Sequence, residues 1–185
     1  MVPGTKSPVK PVTQKRLMNI ALFYLEKYES SSENLRRILQ RRIARAAMKG
    51  AEIPPQAPSW IDAVIAEVRR LGYVDDERFA LSTAEKYRKA GKSANFIRQK
   101  LALAGVSPEI QQKALSADDQ ETQDGELQAA LLLVKKRKLG AFRPQDERAA
   151  FRKKDLAVLA RAGFSYQTAI EALGESEQED ENVRD

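Results

Sequence analysis

The chain has 185 residues, a net charge of +6 and neither cysteine nor histidine. This composition excludes thiolate nucleophiles, imidazole bases, Ser-His-Asp triads, thiolate or imidazole zinc sites and disulfide bonds. No apolar stretch approaches the ~20 residues that span a bilayer, and the polar start lacks a signal-peptide core, so we expect a cytoplasmic protein.

Apolar residues recur at the three- and four-residue spacing of helices through nearly every segment of the first third of the chain. The first predicted helix starts near Leu17, and the second ends at Gly50. Residues 51–58 contain three prolines and are predicted to form a loop, because a helix interior does not accommodate proline. A third helix is predicted from Ser59, because Ser59 and Asp62 together resemble a capping box.

The run "GYVDDERFA" places three acidic residues directly after a Gly-aromatic pair. Gly72 ends the third predicted helix, Asp75 is the predicted N-cap of the fourth, and Asp76 and Glu77 lie in its first turn. A metal site or an acid/base pair is the alternative, but adjacent carboxylates do not face one another on a helix and no further ligand lies nearby. We therefore predict a helix joint, whose motif consists of Gly72, Tyr73, Asp75, Asp76, Arg78 and Phe79.

Five further helices are predicted after the fourth, which makes nine in all and no strand. An internal repeat organises them: with Gly105 aligned to Gly163, "LALAGVSPEIQQKAL" matches "LARAGFSYQTAIEAL", and a second offset sets "SENLRRIL" beside "ANFIRQKL". The predicted fold is all-α, a tandem array of three three-helix modules that is elongated and curved, because such modules bury little apolar surface alone. The predicted boundaries are a disordered arm at 1–12, modules at 13–74, 75–117 and 118–173, and an acidic disordered tail at 174–185.

Charge is unevenly distributed along the chain. The tail has a net charge of −5, which leaves +11 on residues 1–173, and a basic body favours nucleic acid or an acidic protein groove as its partner. Arginines at four-residue spacing in the second helix, and two later clusters, form the predicted binding face. Its members are Arg36, Arg37, Arg41, Arg42, Arg45, Arg98, Lys135, Lys136, Arg137, Lys138, Arg152, Lys153 and Lys154. Ordinary solvated faces are the alternative interpretation of each cluster.

The run "GYVDDERFA", followed by "KYRKAGKSANFIRQKLALAGVS", resembles the signature region of the RecX regulatory proteins, bacterial modulators of the RecA recombinase. The resemblance is strongest from about Ile61 to Leu115 and weaker over the first and third modules. It implies tandem three-helix repeats, no enzymatic activity, and binding in the groove of the RecA–DNA filament. There the family blocks strand exchange and damps the ATPase and coprotease activities of RecA. The acidic tail and the long linker before Ser59 depart from the family pattern.

Two hypotheses about function follow. The first is a monomeric regulator that binds RecA and the RecA–DNA filament, with DNA phosphates as a further partner, no cofactor and no membrane. The second is a nucleic-acid-binding protein without sequence preference, since three-helix modules with a basic helix resemble helix-turn-helix domains. An enzyme is a distant third, because no base, nucleophile or metal shell is evident.

Overall fold

A computed structural model describes residues 11–122 and 125–174, and within them it contains nine α-helices and no strand, which confirms the predicted all-α class. Residues 175–185 of the predicted acidic tail and residues 1–10 of the predicted N-terminal arm lie outside those residues. A short 3-10 helix covers Gly140–Phe142. The helices are α1 (Gln14–Leu25), α2 (Ser32–Met48), α3 (Ala57–Arg70), α4 (Asp76–Lys89), α5 (Ala94–Leu103), α6 (Pro108–Thr122), α7 (Gly125–Arg137), α8 (Gln145–Arg161) and α9 (Tyr166–Leu173).

The helices divide into two compact units. Among the described residues, the first unit holds residues 11–79 together with Ala104–Val106. Inside it, α3 packs against both α1 and α2, because each helix presents one apolar stripe to the others. The core of this unit contains Leu17, Ala21, Leu35, Leu39, Ile61, Val64, Val68 and Val74.

The second unit holds Ala80–Leu103 and the described residues 107–122 and 125–174. Its larger core lies where α9 packs against α7 and α8, and it includes Ala130, Val134, Leu159, Phe164 and Leu173. The inward faces of α4, α5 and α6 bury Ala80, Ala84, Ile97, Leu101 and Leu115. The division into three three-helix modules, with boundaries at 13–74, 75–117 and 118–173, stays a prediction.

The predicted start of the third helix is wrong by two residues. The helix begins at Ala57, after an N-cap at Gln56 that makes no side-chain cap hydrogen bond. Pro58 fits in the first turn, because the N–H groups of that turn have no acceptor within the helix. The Ser59 hydroxyl donates to the Gln56 carbonyl at 2.8 Å instead of capping, and Asp62 forms an ion pair with Arg36.

Candidate binding site and helix joints

Asp75 caps α4, as predicted. Its Oδ1 accepts hydrogen bonds from the backbone N–H groups of Glu77 at 2.9 Å and Arg78 at 3.0 Å. These bonds, the one from Arg78 foremost, hold the pKa of the Asp75 carboxyl below its ordinary value. The preceding Gly72 has φ +75°, the left-handed conformation that ends α3 and turns the chain toward the cap.

Asp76 has a role that its sequence neighbours do not reveal. Its Oδ1 accepts a hydrogen bond from the backbone N–H of Ser32 at 2.7 Å, so the start of α4 also satisfies a free donor at the start of α2. Arg78 completes this contact region, since its guanidinium donates to the Gly72 carbonyl at 3.3 Å and lies 4.0 Å from the Glu29 carboxylate. The carboxylates of Asp75 and Asp76 therefore satisfy backbone donors at helix termini, and Glu77 lies in the first turn of α4.

A buried serine forms the other half of this joint. Ser31 caps α2 by accepting a hydrogen bond from the Asn34 N–H at 3.1 Å, and its hydroxyl donates to the Ala104 carbonyl just after α5. Gly105 follows in the left-handed conformation, with φ +76°. A Cβ at Gly105 would overlap Glu33 in the first turn of α2, so the close approach requires glycine there.

The same joint recurs in the second unit. Ser93 caps α5 by accepting from the Phe96 N–H at 3.2 Å, and its hydroxyl donates to the Ala162 carbonyl, just after α8, at 2.6 Å. The carboxylate of Glu126 accepts from the Ala94 N–H at 2.8 Å, as Asp76 does from Ser32. Gly163 occupies the position of Gly105. Ser31 and Ser93 directly precede the two segments that the internal repeat aligns, so the repeat was the signal that could have found them.

Two ion pairs that each have one buried member were missed by sequence reasoning. Arg88, 6% exposed, pairs with Glu126 in the second joint. Asp155, 2% exposed, accepts from Arg143 at 2.7 and 2.8 Å and from the Gly140 N–H at 2.9 Å. Hydrogen bonds from Arg143 lower the pKa of Asp155, and the pKa of Arg143 is raised in turn. The two members of each pair are far apart in sequence, so local patterns did not indicate them. The hydrogen bonds and ion pairs of each acid indicate a structural role.

The arginines predicted on α2 separate into two groups. Arg36 forms ion pairs with Glu33 and Asp62, and Arg37 lies 3.2 Å from the Glu33 carboxylate. These two are partly neutralised within the protein. The remaining three, Arg41, Arg42 and Arg45, are exposed and have no ion-pair partner among the residues that the structure describes. We call these three residues the α2 arginine cluster.

The other predicted cations belong to the second unit. Arg98 is exposed on α5, and Lys153 and Lys154 are exposed beside the half-buried Arg152 on α8. The last turn of α7 holds Lys135, Lys136 and Arg137, where positive charge interacts favourably with the helix C-terminus. A structural role therefore accounts for part of that cluster.

Lys138 has a backbone conformation that is unusual for lysine. Its φ is +53°, and it is the one non-glycine residue with positive φ in the described ranges. The Leu139 N–H donates to the Val134 carbonyl at 3.0 Å, the pattern of a helix end that glycine ordinarily occupies. This lysine is strained by its position.

No described helix has the length and apolarity needed to cross a membrane. Across 11–122 and 125–174, no group of three or more Asp or Glu side chains is arranged to hold a metal ion.

Comparison with known proteins identifies the family. Residues 75–115 match the family model described as RecX, second three-helix domain. The chain is 38% identical over 171 residues to the regulatory protein RecX of Myxococcus xanthus, covering 92% of this chain and 90% of that protein. This chain belongs to the RecX family. It is also 29% identical to the regulatory protein RecX of Agrobacterium fabrum, over 89% of this chain and 85% of that protein.

Solved RecX structures have the same fold. The crystal structure of RecX from Lactobacillus salivarius aligns with a TM-score of 0.66 at 18% identity, covering 87% of this chain and 94% of that one. A second crystal structure of regulatory protein RecX aligns with a TM-score of 0.65 at 20% identity, over 87% and 72% of the two chains. Membership in the RecX family makes this chain a regulatory protein rather than an enzyme. The matched RecX domain begins at Asp75, the N-cap of α4, and it contains Ser93 and Gly105 of the two joints.

Proposed function

We propose that this chain binds the RecA recombinase and the RecA–DNA filament, and that it mainly inhibits recombinase, ATPase and coprotease activities in DNA repair and the SOS response. Family membership supports a regulatory role, and the α2 arginine cluster supports a polyanionic partner. The proposed site of action is the cytoplasm, and the proposed activity needs no cofactor.

The main observation behind this proposal is that the α2 arginine cluster has no ion-pair partner in the described part of the chain. Like charges three or four residues apart destabilise a helix by about 0.2–0.5 kcal/mol per pair. An anionic partner offsets this repulsion when it binds, whereas Arg36 and Arg37 already have carboxylate partners. A RecA–DNA filament offers both phosphates and protein carboxylates.

Nucleic-acid binding without sequence preference is the alternative function. The same unpaired guanidinium groups suit the phosphate backbone, which carries most of the affinity in non-specific complexes. Filament regulation and simple DNA binding therefore differ in their preferred target rather than in the residues used.

Titrations against three targets distinguish the two functions. Binding is measured to bare single-stranded DNA, free RecA and a preformed RecA filament on single-stranded DNA, each at low and moderate salt. Marked preference for the filament supports the proposed regulator. Equal affinity for bare DNA at moderate salt contradicts it and favours the alternative.

A matched pair of variants tests the cluster itself. Replacing Arg41, Arg42 and Arg45 by Gln should weaken filament binding about tenfold or more and reduce the salt slope by about two if three phosphate contacts are lost. The control replaces three exposed lysines of the second unit by Gln, so it removes the same charge; they are Lys86, Lys92 and Lys100. Equal effects of the two triple variants would show that net charge, and not the cluster, governs binding.

A further inference from the structure

An open groove of about 690 Å³ runs between α1 and α2 in the first unit. On α2 its lining extends from Ile38 to Lys49, which corresponds to a length of about 16 Å along the helix axis. Its apolar lining comes from both helices and is mostly half-buried. These residues are Val12, Leu17, Ile20, Tyr24, Ile38, Ile43 and Ala46.

The rim of this groove is positively charged. Arg16 and Lys27 lie on the α1 side, and Arg42, Arg45 and Lys49 lie on the α2 side. No Asp or Glu is among the described residues that line the groove. The three cations on the α2 side also have no ion-pair partner among the described residues. An apolar floor therefore lies between two positively charged edges.

Aromatic side chains extend the apolar surface to the rim. Phe23 is 62% exposed and Tyr28 is 58% exposed, and both line the groove. Single exposed apolar residues are ordinary on protein surfaces, but these two adjoin a shared apolar floor. A contiguous apolar surface bordered by charge is typical of an interaction site.

The chemistry of the floor favours a protein helix over a nucleic acid. Aliphatic side chains such as Ile20 and Ile43 offer no stacking platform for bases. The Tyr24 and Tyr28 rings pack against each other at 5.1 Å, and the ammonium of Lys27 covers the Phe23 ring at 4.3 Å. An amphipathic helix instead places apolar side chains at i, i+3, i+4 and i+7 along such a floor, and acidic residues beside that stripe would meet the cationic rim.

We propose that the α1–α2 groove binds an acidic amphipathic helix of a partner protein. This inference rests on the proposed function, because it assumes that the chain acts by binding a protein. It adds the kind of protein segment that is bound. About three helical turns of that segment fill the length of the groove. Its leucine-like side chains cover the floor, and its carboxylates pair with the rim cations.

The test uses a synthetic peptide of about 18 residues, long enough for measurable helicity. It carries leucines at i, i+3, i+4, i+7 and i+11 with glutamates on both flanks, and a scrambled peptide of equal composition is the control. Fluorescence anisotropy should show saturable binding of the patterned peptide, at least about tenfold tighter than binding of the scrambled peptide. Equal binding of both peptides, or binding of neither, overturns the proposal.

Two double charge reversals locate the peptide on the protein. Lys27→Glu with Arg45→Glu alters one rim cation on each side of the groove, whereas Lys15→Glu with Arg41→Glu changes the same charge at exposed positions that do not line it. The first variant should lose about tenfold in affinity and the second much less. A peptide with lysines in place of the glutamates should bind the first variant better than it binds the unmodified protein. Equal losses in the two variants contradict a groove site.

Phe23→Ala tests the apolar contribution without changing charge, and it should weaken peptide binding at low and high salt alike, because salt does not screen apolar contacts.

A dT oligonucleotide of about 12 nucleotides tests whether the groove binds nucleic acid instead. If it binds more tightly than the patterned peptide and loses affinity in the Lys27/Arg45 variant, the groove is a nucleic-acid site and the proposal is wrong. Filament inhibition is measured in parallel, so failed peptide binding with intact inhibition refutes the groove and leaves the proposed function standing.

Discussion

Gly105→Ala tests whether the first joint is a close-packed contact or only a turn. The matched control is Gly72→Ala, because the two glycines have nearly the same φ, +76° and +75°, and both belong to the first unit. A Cβ added at Gly72 meets no heavy atom within 4 Å. A Cβ added at Gly105 lies 2.5 Å from the Cβ of Glu33, with the Glu33 Cγ closer still.

The expected magnitudes follow from these two environments. A left-handed backbone costs a non-glycine residue about 1–2 kcal/mol, and this cost applies equally to both variants. Overlap at Gly105 adds about 1–3 kcal/mol, as in other overpacked contacts. The overlapping Glu33 atoms are near the backbone of α2, so rotation of a flexible side-chain end does not relieve it. We therefore expect a free-energy loss of about 2–5 kcal/mol for Gly105→Ala, against about 1–2 kcal/mol for Gly72→Ala.

Urea unfolding measures both losses with one probe. Trp60 is the only tryptophan of the chain and packs against the core of the first unit, so its fluorescence reports the unit that contains both glycines. Far-UV circular dichroism at zero urea verifies that each variant is folded. Equal losses for the two variants would refute the close-packed joint and leave backbone strain as the whole effect.

Three other substitutions test separate features. Asp155→Asn should cost about 2–4 kcal/mol, somewhat less than a fully buried pair, because Arg143 keeps 21% side-chain exposure. The pKa of Asp155 is lowered in the folded state, so its contribution is complete above the ordinary Asp pKa and is lost as pH falls through the lowered value. Urea titrations across acidic pH should therefore show a flatter stability profile for the variant, and an unchanged profile would contradict this role. Asp75→Ala should cost about 0.5–2 kcal/mol by removing the cap while filament affinity of the folded variant stays unchanged; a variant of normal stability that no longer binds would make Asp75 a contact residue. Lys138→Gly should be about 1 kcal/mol more stable than Lys138→Ala in thermal unfolding, because both remove the charge but only glycine relieves the positive φ, and equal stabilities would show that the strain is absent.

Features set by near neighbours in sequence were predictable. The cap at Asp75 and the helix end at Gly72 depend on residues within one turn, where capping rules operate. Helical periodicity likewise predicted the all-α class, since nearly every segment has an apolar stripe at three-four spacing. The start of α3 was the exception, because the first turn of a helix accepts proline although the helix interior does not.

Features set by distant residues were not predictable from local patterns. Asp76 was placed correctly in the first turn of α4, yet its acceptor role for the Ser32 N–H, 44 residues away, depends on how two helix termini meet. Arg37 was assigned to the binding face by helical spacing alone, and only the structure shows that Glu33 already pairs with it. The i,i+4 spacing of that pair was visible in the sequence, but spacing alone does not determine whether two side chains pair with each other or with a partner from another helix.

The sequence by itself determined the all-α class, the cap at Asp75, the helix end at Gly72 and the repeat that relates distant segments, because backbone hydrogen bonding and apolar periodicity operate within a few residues. Tertiary structure alone decided which cations remain without a partner and that α1 and α2 leave an apolar groove between them. It also decided that Ser31 reaches the Ala104 carbonyl, 73 residues away. These outcomes depend on which surfaces come into contact when the chain folds. Burial, ion pairing and exposed apolar surface are set by those tertiary contacts and not by any one segment.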